Sequence, residues 1–143
     1  MSKYDALKLD NQLCFPLYAA SREIIKIYHP YLSKLDLTYT QYITMMVLWE
    51  VKKISVKDLG KKLYLDSGTL TPLLKTLEKR GFITRKRSEK DERVLVVEIT
   101  KEGDKFKDYA VNIPAEVGSC VKLSKKDAED LYRILYQLLD NSL

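Results

Sequence analysis

Histidine is almost absent from this sequence, with one residue in 143, and cysteine occurs twice. So few ligands leave little from which to build a structural zinc site, and neither a metal nor a cofactor is expected. There is no run of about 18 apolar residues, so no membrane-spanning helix is expected. The opening stretch MSKYDALKLDNQL is too charged for a signal peptide, and the expected location is the cytoplasm. Five glycines and four prolines exclude collagen-like and linker-like chains. No Gly-rich phosphate loop and no Ser-His-Asp set is present, and His29 stands alone beside Pro30. An enzyme is therefore not the expectation.

What is present suits a folded domain. Hydrophobic residues make up 45% and charged residues 31%, which excludes wholesale disorder. The length fits one domain, and no linker or repeat interrupts residues 1–143. The net charge is +5, but it is unevenly placed. Residues 51–107 hold 16 basic and 9 acidic side chains, whereas the rest hold 9 and 11. Positive charge gathered in the middle of a chain fits a polyanionic partner or a solvated basic face.

Periodicity predicts a long helix from about Asn11 to Ser33, with Asp10 as its N-cap and Leu13, Leu17, Ile24, Ile27, Tyr28 and Tyr31 at helical spacing. Pro16 fits only near a helix start or a kink. A second helix is expected over about Thr40 to Val51, with Ile43, Met46, Val47 and Trp49 as its buried side. Ser55 should cap VKDLGKKL, whose Val56, Leu59 and Leu63 form one stripe. DSGTLTPLLKTLEKRG reads as a further helix, capped at Asp66 or Ser67 and closed by Gly81, with Leu70, Leu73, Leu74 and Leu77 inward. FITRKRSEKDERVLVVEIT reads as a β-hairpin with arms Phe82–Arg87 and Arg93–Thr100. Two more helices are expected, over about Lys101 to Glu116 and Lys125 to Asn141, the last opened by Ser124 and Asp127.

Helix, short helix, helix and basic hairpin in this order describe a winged helix-turn-helix over about 51–100. The fold class is mainly α with a small β wing. The flanking helices, about 11–50 and 101–143, have more apolar surface than so small a module needs, and a dimer is expected to bury it. In the recognition helix, Ser67, Thr69 and Thr71 alternate around the start and Lys75 lies one turn further on. These are side chains able to meet phosphates or base edges of double-stranded DNA. The hairpin adds Arg85, Lys86, Arg87, Lys90 and Arg93, and an arginine on a wing suits a narrow minor groove. Asp91 reads as a brace that aims Arg93.

Across nearly the whole chain, these features resemble the MarR family of winged-helix regulators. The stretch from Asp66 to Thr100, with its D-x-R wing of Asp91 and Arg93, carries the resemblance. The family implies a homodimer on a pseudo-palindromic operator, with two recognition helices in successive major grooves.

For Cys14 in NQLCFPLYAASR the residues alone leave two readings. A helix N-terminus favours a reactive thiolate, whereas an apolar neighbourhood suits a small core residue. The stretch from Asn11 to Tyr42 resembles the organic-hydroperoxide-resistance branch of the MarR family. That branch implies a peroxide-reactive cysteine in an L-C-F context. It also implies two tyrosines, at the positions of Tyr28 and Tyr39, that hydrogen-bond the thiol from the partner subunit. A two-cysteine subset implies that Cys120, read here in a loop between the last two helices, resolves the sulfenic acid into an intersubunit disulfide that releases DNA. Two other readings stand beside this one. The aromatic residues would line a pocket for a small aromatic ligand, with both cysteines passive, or the protein would be a thiol peroxidase.

Overall fold

Residues 2–142 of a computed structural model are described, and they form eight helices and three short strands. Two 3-10 turns, Lys3–Leu7 and Leu9–Asn11, come first. They displace the expected start of the long helix. Asp10 lies inside the second turn, and α1 runs Cys14–Ser33 from Leu13, which makes no side-chain cap. Cys14 is therefore the first residue of α1, and Pro16 falls in the first turn, where its missing N–H costs nothing. Pro30 lies inside the same helix, with His29 beside it, and leaves the Lys26 carbonyl without its usual donor.

The second helix, α2, spans Tyr39–Val51 and opens with a full capping box. Thr38 accepts from the Gln41 backbone N–H at 3.2 Å, while the Gln41 side chain accepts from the Thr38 N–H at 3.0 Å. This cap sets the phase of the helix. Its buried residues are Tyr42, Thr44, Met45 and Leu48, not the Ile43, Met46, Val47 and Trp49 set expected, and Met46 faces outward. Trp49 is half-buried, its indole N–H donating to the Gly103 carbonyl at 2.9 Å.

A strand absent from the sequence expectation follows: β1, Lys53–Ser55. Three residues are too few to show a period. It exists because it pairs with β3, Leu95–Ile99, which also pairs with β2, Ile83–Arg87, in an antiparallel sheet of order β1-β3-β2. Between β1 and β2 come α3, Val56–Leu63, and α4, Ser67–Lys79. Ser55 caps α3 by accepting from the Asp58 N–H at 3.1 Å, and Asp66 caps α4 by accepting from the Thr69 N–H at 2.7 Å. Leu70, Leu73, Leu74 and Leu77 all point inward, as their spacing predicts. Gly81 ends α4 with φ 83°, a conformation that glycine adopts without a Cβ clash. Leu48, Leu59, Leu70, Leu74, Leu77 and Val97 are sealed from solvent. Each contributes roughly 1.5–3 kcal/mol by burial.

The single helix expected from Lys101 to Glu116 is instead three pieces: α5, Lys101–Lys105; α6, Lys107–Ala110; and α7, Ile113–Cys120. Cys120 is thus the last residue of a helix, not a loop residue. The last helix, α8, spans Lys125–Ser142, and Ser124 accepts from the Asp127 N–H at 3.1 Å as its opening sequence predicts. By internal contacts the chain divides into two compact units at Ile113 and Pro114, the second holding α8. No helix among the described residues is long and apolar enough to cross a membrane.

Gly103 shows how close the packing is between α5 and the start of β2. A Cβ there would overlap the Phe82 carbonyl oxygen, whereas one at Gly118 would meet nothing within 4 Å. Gly103→Ala is expected to lower unfolding stability by roughly 1–3 kcal/mol. Gly118→Ala, in a helix, should leave it unchanged or raise it by up to about 1 kcal/mol. Urea denaturation of both variants checks the pair.

Candidate nucleic-acid interface and thiol site

Asp66 orders the exposed N-terminus of α4, and the bond from the Thr69 N–H holds its carboxyl below the usual range. Ser67, Thr69, Thr71 and Lys75 are all solvent-exposed along the first turns. The Thr71 hydroxyl donates back to the Ser67 carbonyl at 2.8 Å, which sets its rotamer. An open groove runs from this helix start to the wing, with Val56, Leu65, Leu70 and Leu95 along its floor and Lys57, Lys61 and Arg93 at its edge. Ser67, Thr71 and Arg93 therefore share one surface, although they lie far apart in the sequence.

The wing divides its cations into two kinds. Arg93 is braced by Asp91 in a bidentate pair, Nε to Oδ1 at 3.1 Å and Nη2 to Oδ2 at 3.2 Å. The pair draws the Asp91 carboxyl below its ordinary range and leaves the arginine side chain 91% exposed. Lys86, Arg87 and Lys90 are likewise exposed. Arg85 differs from the basic group in which its sequence position placed it. Its side chain turns to Glu78 of α4, with Nε at 3.3 Å and Nη2 at 3.0 Å from Oε1, while its backbone N–H bonds Oε2 at 3.2 Å. Arg85 is committed to tying the wing to α4. Strand alternation is the signal for this, because it puts Arg85 on the same inward face as Ile83, opposite Val97.

The thiol site comes in separate parts. Cys14 is exposed at the N-terminus of α1, and Leu13, Phe15, Leu17 and Tyr18 around it are exposed as well. Tyr28 lies 14 positions along the same helix, a distance of about 21 Å at 1.5 Å per residue. There it meets Tyr39, the first residue of α2, with ring centroids 5.0 Å apart. The structure thus gathers Tyr28 and Tyr39 and keeps Cys14 of the same chain away from them. It adds a third tyrosine, which is not among the residues expected from the sequence. Tyr42 is 5.8 Å from the Tyr28 ring, 6.3 Å from Tyr39 and 2% exposed. Burial, reinforced by the neighbouring phenols Tyr28 and Tyr39, pushes its own hydroxyl up to about 12. The T-x-x-Q capping box could have revealed it, since it puts Tyr39 and Tyr42 one turn apart on one face. Cys120, in the other unit, is exposed and donates its S–H to the Glu116 carbonyl at 3.5 Å.

A helix pair, α3 and α4, followed by a braced basic hairpin defines the class of winged helix-turn-helix proteins. Among solved structures the fold is shared with MarR, at TM-score 0.71 and 19% identity over 88% of this chain and 93% of that one. It is shared more fully with AbfR, solved in reduced form bound to DNA. There the TM-score is 0.78 with 31% identity, covering 99% of this chain and 98% of that one. AbfR is also known in a disulfide form. The profile of the family described as transcriptional regulator SarA/Rot matches residues 26–109, and the chain belongs to that family. A relative in Bacillus subtilis, an organic hydroperoxide resistance transcriptional regulator, is 51% identical over 97% of this chain and 95% of its own length. The likeness to the organic-hydroperoxide-resistance branch therefore holds, and the relatives are regulators of transcription, not enzymes.

The raised Tyr42 hydroxyl has a consequence for stability at high pH. Between about pH 10 and 12 the unfolded chain loses this proton while the folded one keeps it, so unfolding gains. Tyr42 therefore contributes stability that is full below pH 10 and lost as pH rises towards 12. Thermal melts from pH 9 upward should show a steeper alkaline decline in the wild type than in Tyr42→Phe.

Proposed function

We propose that this protein is a cytoplasmic repressor that binds a pseudo-palindromic operator as a homodimer and releases it when Cys14 is oxidised by an organic hydroperoxide. The observation that carries the reading is the separation on α1. A thiol at the first residue and a tyrosine pair about 21 Å further along cannot meet within one α1, and a second α1 running antiparallel beside the first brings them together. Exposed Leu13 at the N-cap of α1, Leu17, Ile24 and Ile25 on α1, and Leu131, Ile134 and Leu138 on α8, supply the apolar surface for such a partner. Residues of about 11–50 and 101–143 then serve the dimer, and about 51–100 reads DNA.

On the operator, Ser67, Thr69, Thr71 and Lys75 enter the major groove and meet phosphates and base edges. Arg93, aimed by Asp91, reaches the minor groove, with Arg87 and Lys90 on the flanking backbone. Each phosphate neutralised makes affinity fall with salt. In the reduced state, Tyr28 and Tyr39 of one subunit donate hydrogen bonds to the Cys14 sulfur of the other. The thiolate attacks the distal oxygen of the hydroperoxide and the O–O bond breaks. The distal oxygen keeps its hydrogen as the Cys14 sulfenic acid, and the alkoxide released takes a proton from solvent and leaves as the alcohol. Cys120 of the other subunit then displaces the sulfenic oxygen as water, forming an S–S bond. The two reading heads lose their spacing of about 34 Å, and the operator is released.

Gel shifts with cumene hydroperoxide, alongside non-reducing gels, test the scheme. Wild type is expected to lose DNA and to run as a covalent dimer. Cys14→Ser should keep DNA binding and ignore the oxidant, and Cys120→Ser should oxidise without cross-linking. DNA binding by the wild type that is unmoved by hydroperoxide rejects the sensing half and leaves the DNA-binding half standing.

A further inference from the structure

The turn between α1 and α2 has one tyrosine of the cluster on each side, Tyr28 before it and Tyr39 after it. Within the turn Asp36 holds a φ of 53°, in the left-handed region that non-glycine residues rarely adopt. One side chain from another element grips this turn. Arg80, the C-cap of α4, donates from Nη2 to the Leu35 carbonyl at 3.0 Å and from Nη1 to the Asp36 carbonyl. Both carbonyls lie just past the end of α1, where the helix dipole is negative and no intrahelical donor remains. The same guanidinium lies 4.7 Å from the ring of Phe82 and 5.8 Å from that of Phe106, which stack on each other at 4.5 Å. Arg80 is therefore fixed from both sides, by two oxygens and by two aromatic rings.

This fork joins the end of the recognition helix to the turn that spaces the two tyrosines. Leu48 of α2 and Leu59 and Leu74 of the reading head are all buried, and apolar packing of this kind has no direction. At its far end α2 is tied to β3, whose Ile99 N–H donates to the carbonyl of Lys52, the C-cap of α2, at 2.9 Å. The Arg80 fork has direction. Two adjacent carbonyls gripped by one planar group cannot shift without moving the group, a constraint that a lysine would not impose.

We infer that Arg80 is a positioning residue that transmits displacement of the Tyr28–Tyr39 pair to α4, so that oxidation at the thiol becomes loss of the operator. The inference rests on the peroxide-sensing reading above. When the tyrosines shift, the turn shifts, and the fork swings α4 and its N-terminal Ser67, Thr69 and Thr71 out of register with the groove.

The test compares wild type, Arg80→Lys and Arg80→Ala on a duplex selected from random sequence by the reduced wild-type protein. Operator Kd is measured before and after cumene hydroperoxide, with mass spectrometry following oxidation of Cys14. Couplings between sites commonly span about 5–150-fold in affinity, and the wild-type ratio of oxidised to reduced Kd is expected in that range. Arg80→Ala should bring the ratio below about twofold although Cys14 oxidises to the same extent, with Arg80→Lys in between. A residue that only braces the fold would lower the melting temperature and both affinities together and leave the ratio at its wild-type value, which overturns the inference. Should Arg80→Ala fail to fold, the Arg80→Lys ratio decides alone. A wild-type ratio of one instead overturns the sensing reading, and this inference with it.

Discussion

The rise of an α-helix governs the rest of this structure. Cys14 and Tyr28 sit on one uninterrupted helix, and 14 residues of helix hold them about 21 Å apart whatever the surroundings do. A thiol and a phenol so placed can meet only through a second copy of the chain. The long apolar face of α1, which a monomer leaves largely in water, follows from the same arrangement. In the sensor proposed above, chemistry is joined to assembly, because each half of the reactive site belongs to a different subunit.

The same economy of charge marks the reading head. Its basic residues look alike in the sequence but are put to different uses. Arg85 is consumed in a threefold contact with Glu78, and Arg80 in a fork onto two carbonyls, so both serve to hold elements together. Arg93 is paired with a neighbour two residues away, in a geometry that leaves it in solvent. A local pair constrains direction without tying the residue to the rest of the fold. A pair across elements does the opposite.

Much of the fold could be read from the chain. The leucines of α4, its Asp66 cap, the Gly81 stop and the Ser55 and Ser124 caps are all short-range signals, and the structure follows them. The misses share a cause. Strand β1 is three residues long and exists only as a neighbour of β3. The buried side of α2 is rotated because the Thr38–Gln41 box and Tyr42 set its phase, where a count of Ile, Met and Trp pointed elsewhere. The stretch after Lys101 breaks into short helices, although its periodicity is continuous.

What the sequence determined by itself is the order of elements, the helix ends and the local brace of Asp91 on Arg93. Each depends on residues within about one helical turn of one another. The family resemblance added Tyr28 and Tyr39 as a matched set. Tertiary structure alone decided that the Tyr42 ring packs against both of these tyrosines, that Arg85 belongs to Glu78, and that Arg80 reaches from α4 to the α1–α2 turn. Arg80 is separated from Leu35 by 45 residues, and no periodicity connects positions so far apart. Such contacts appear only when the chain has packed, because their partners are chosen by the space left between elements and not by the residues beside them.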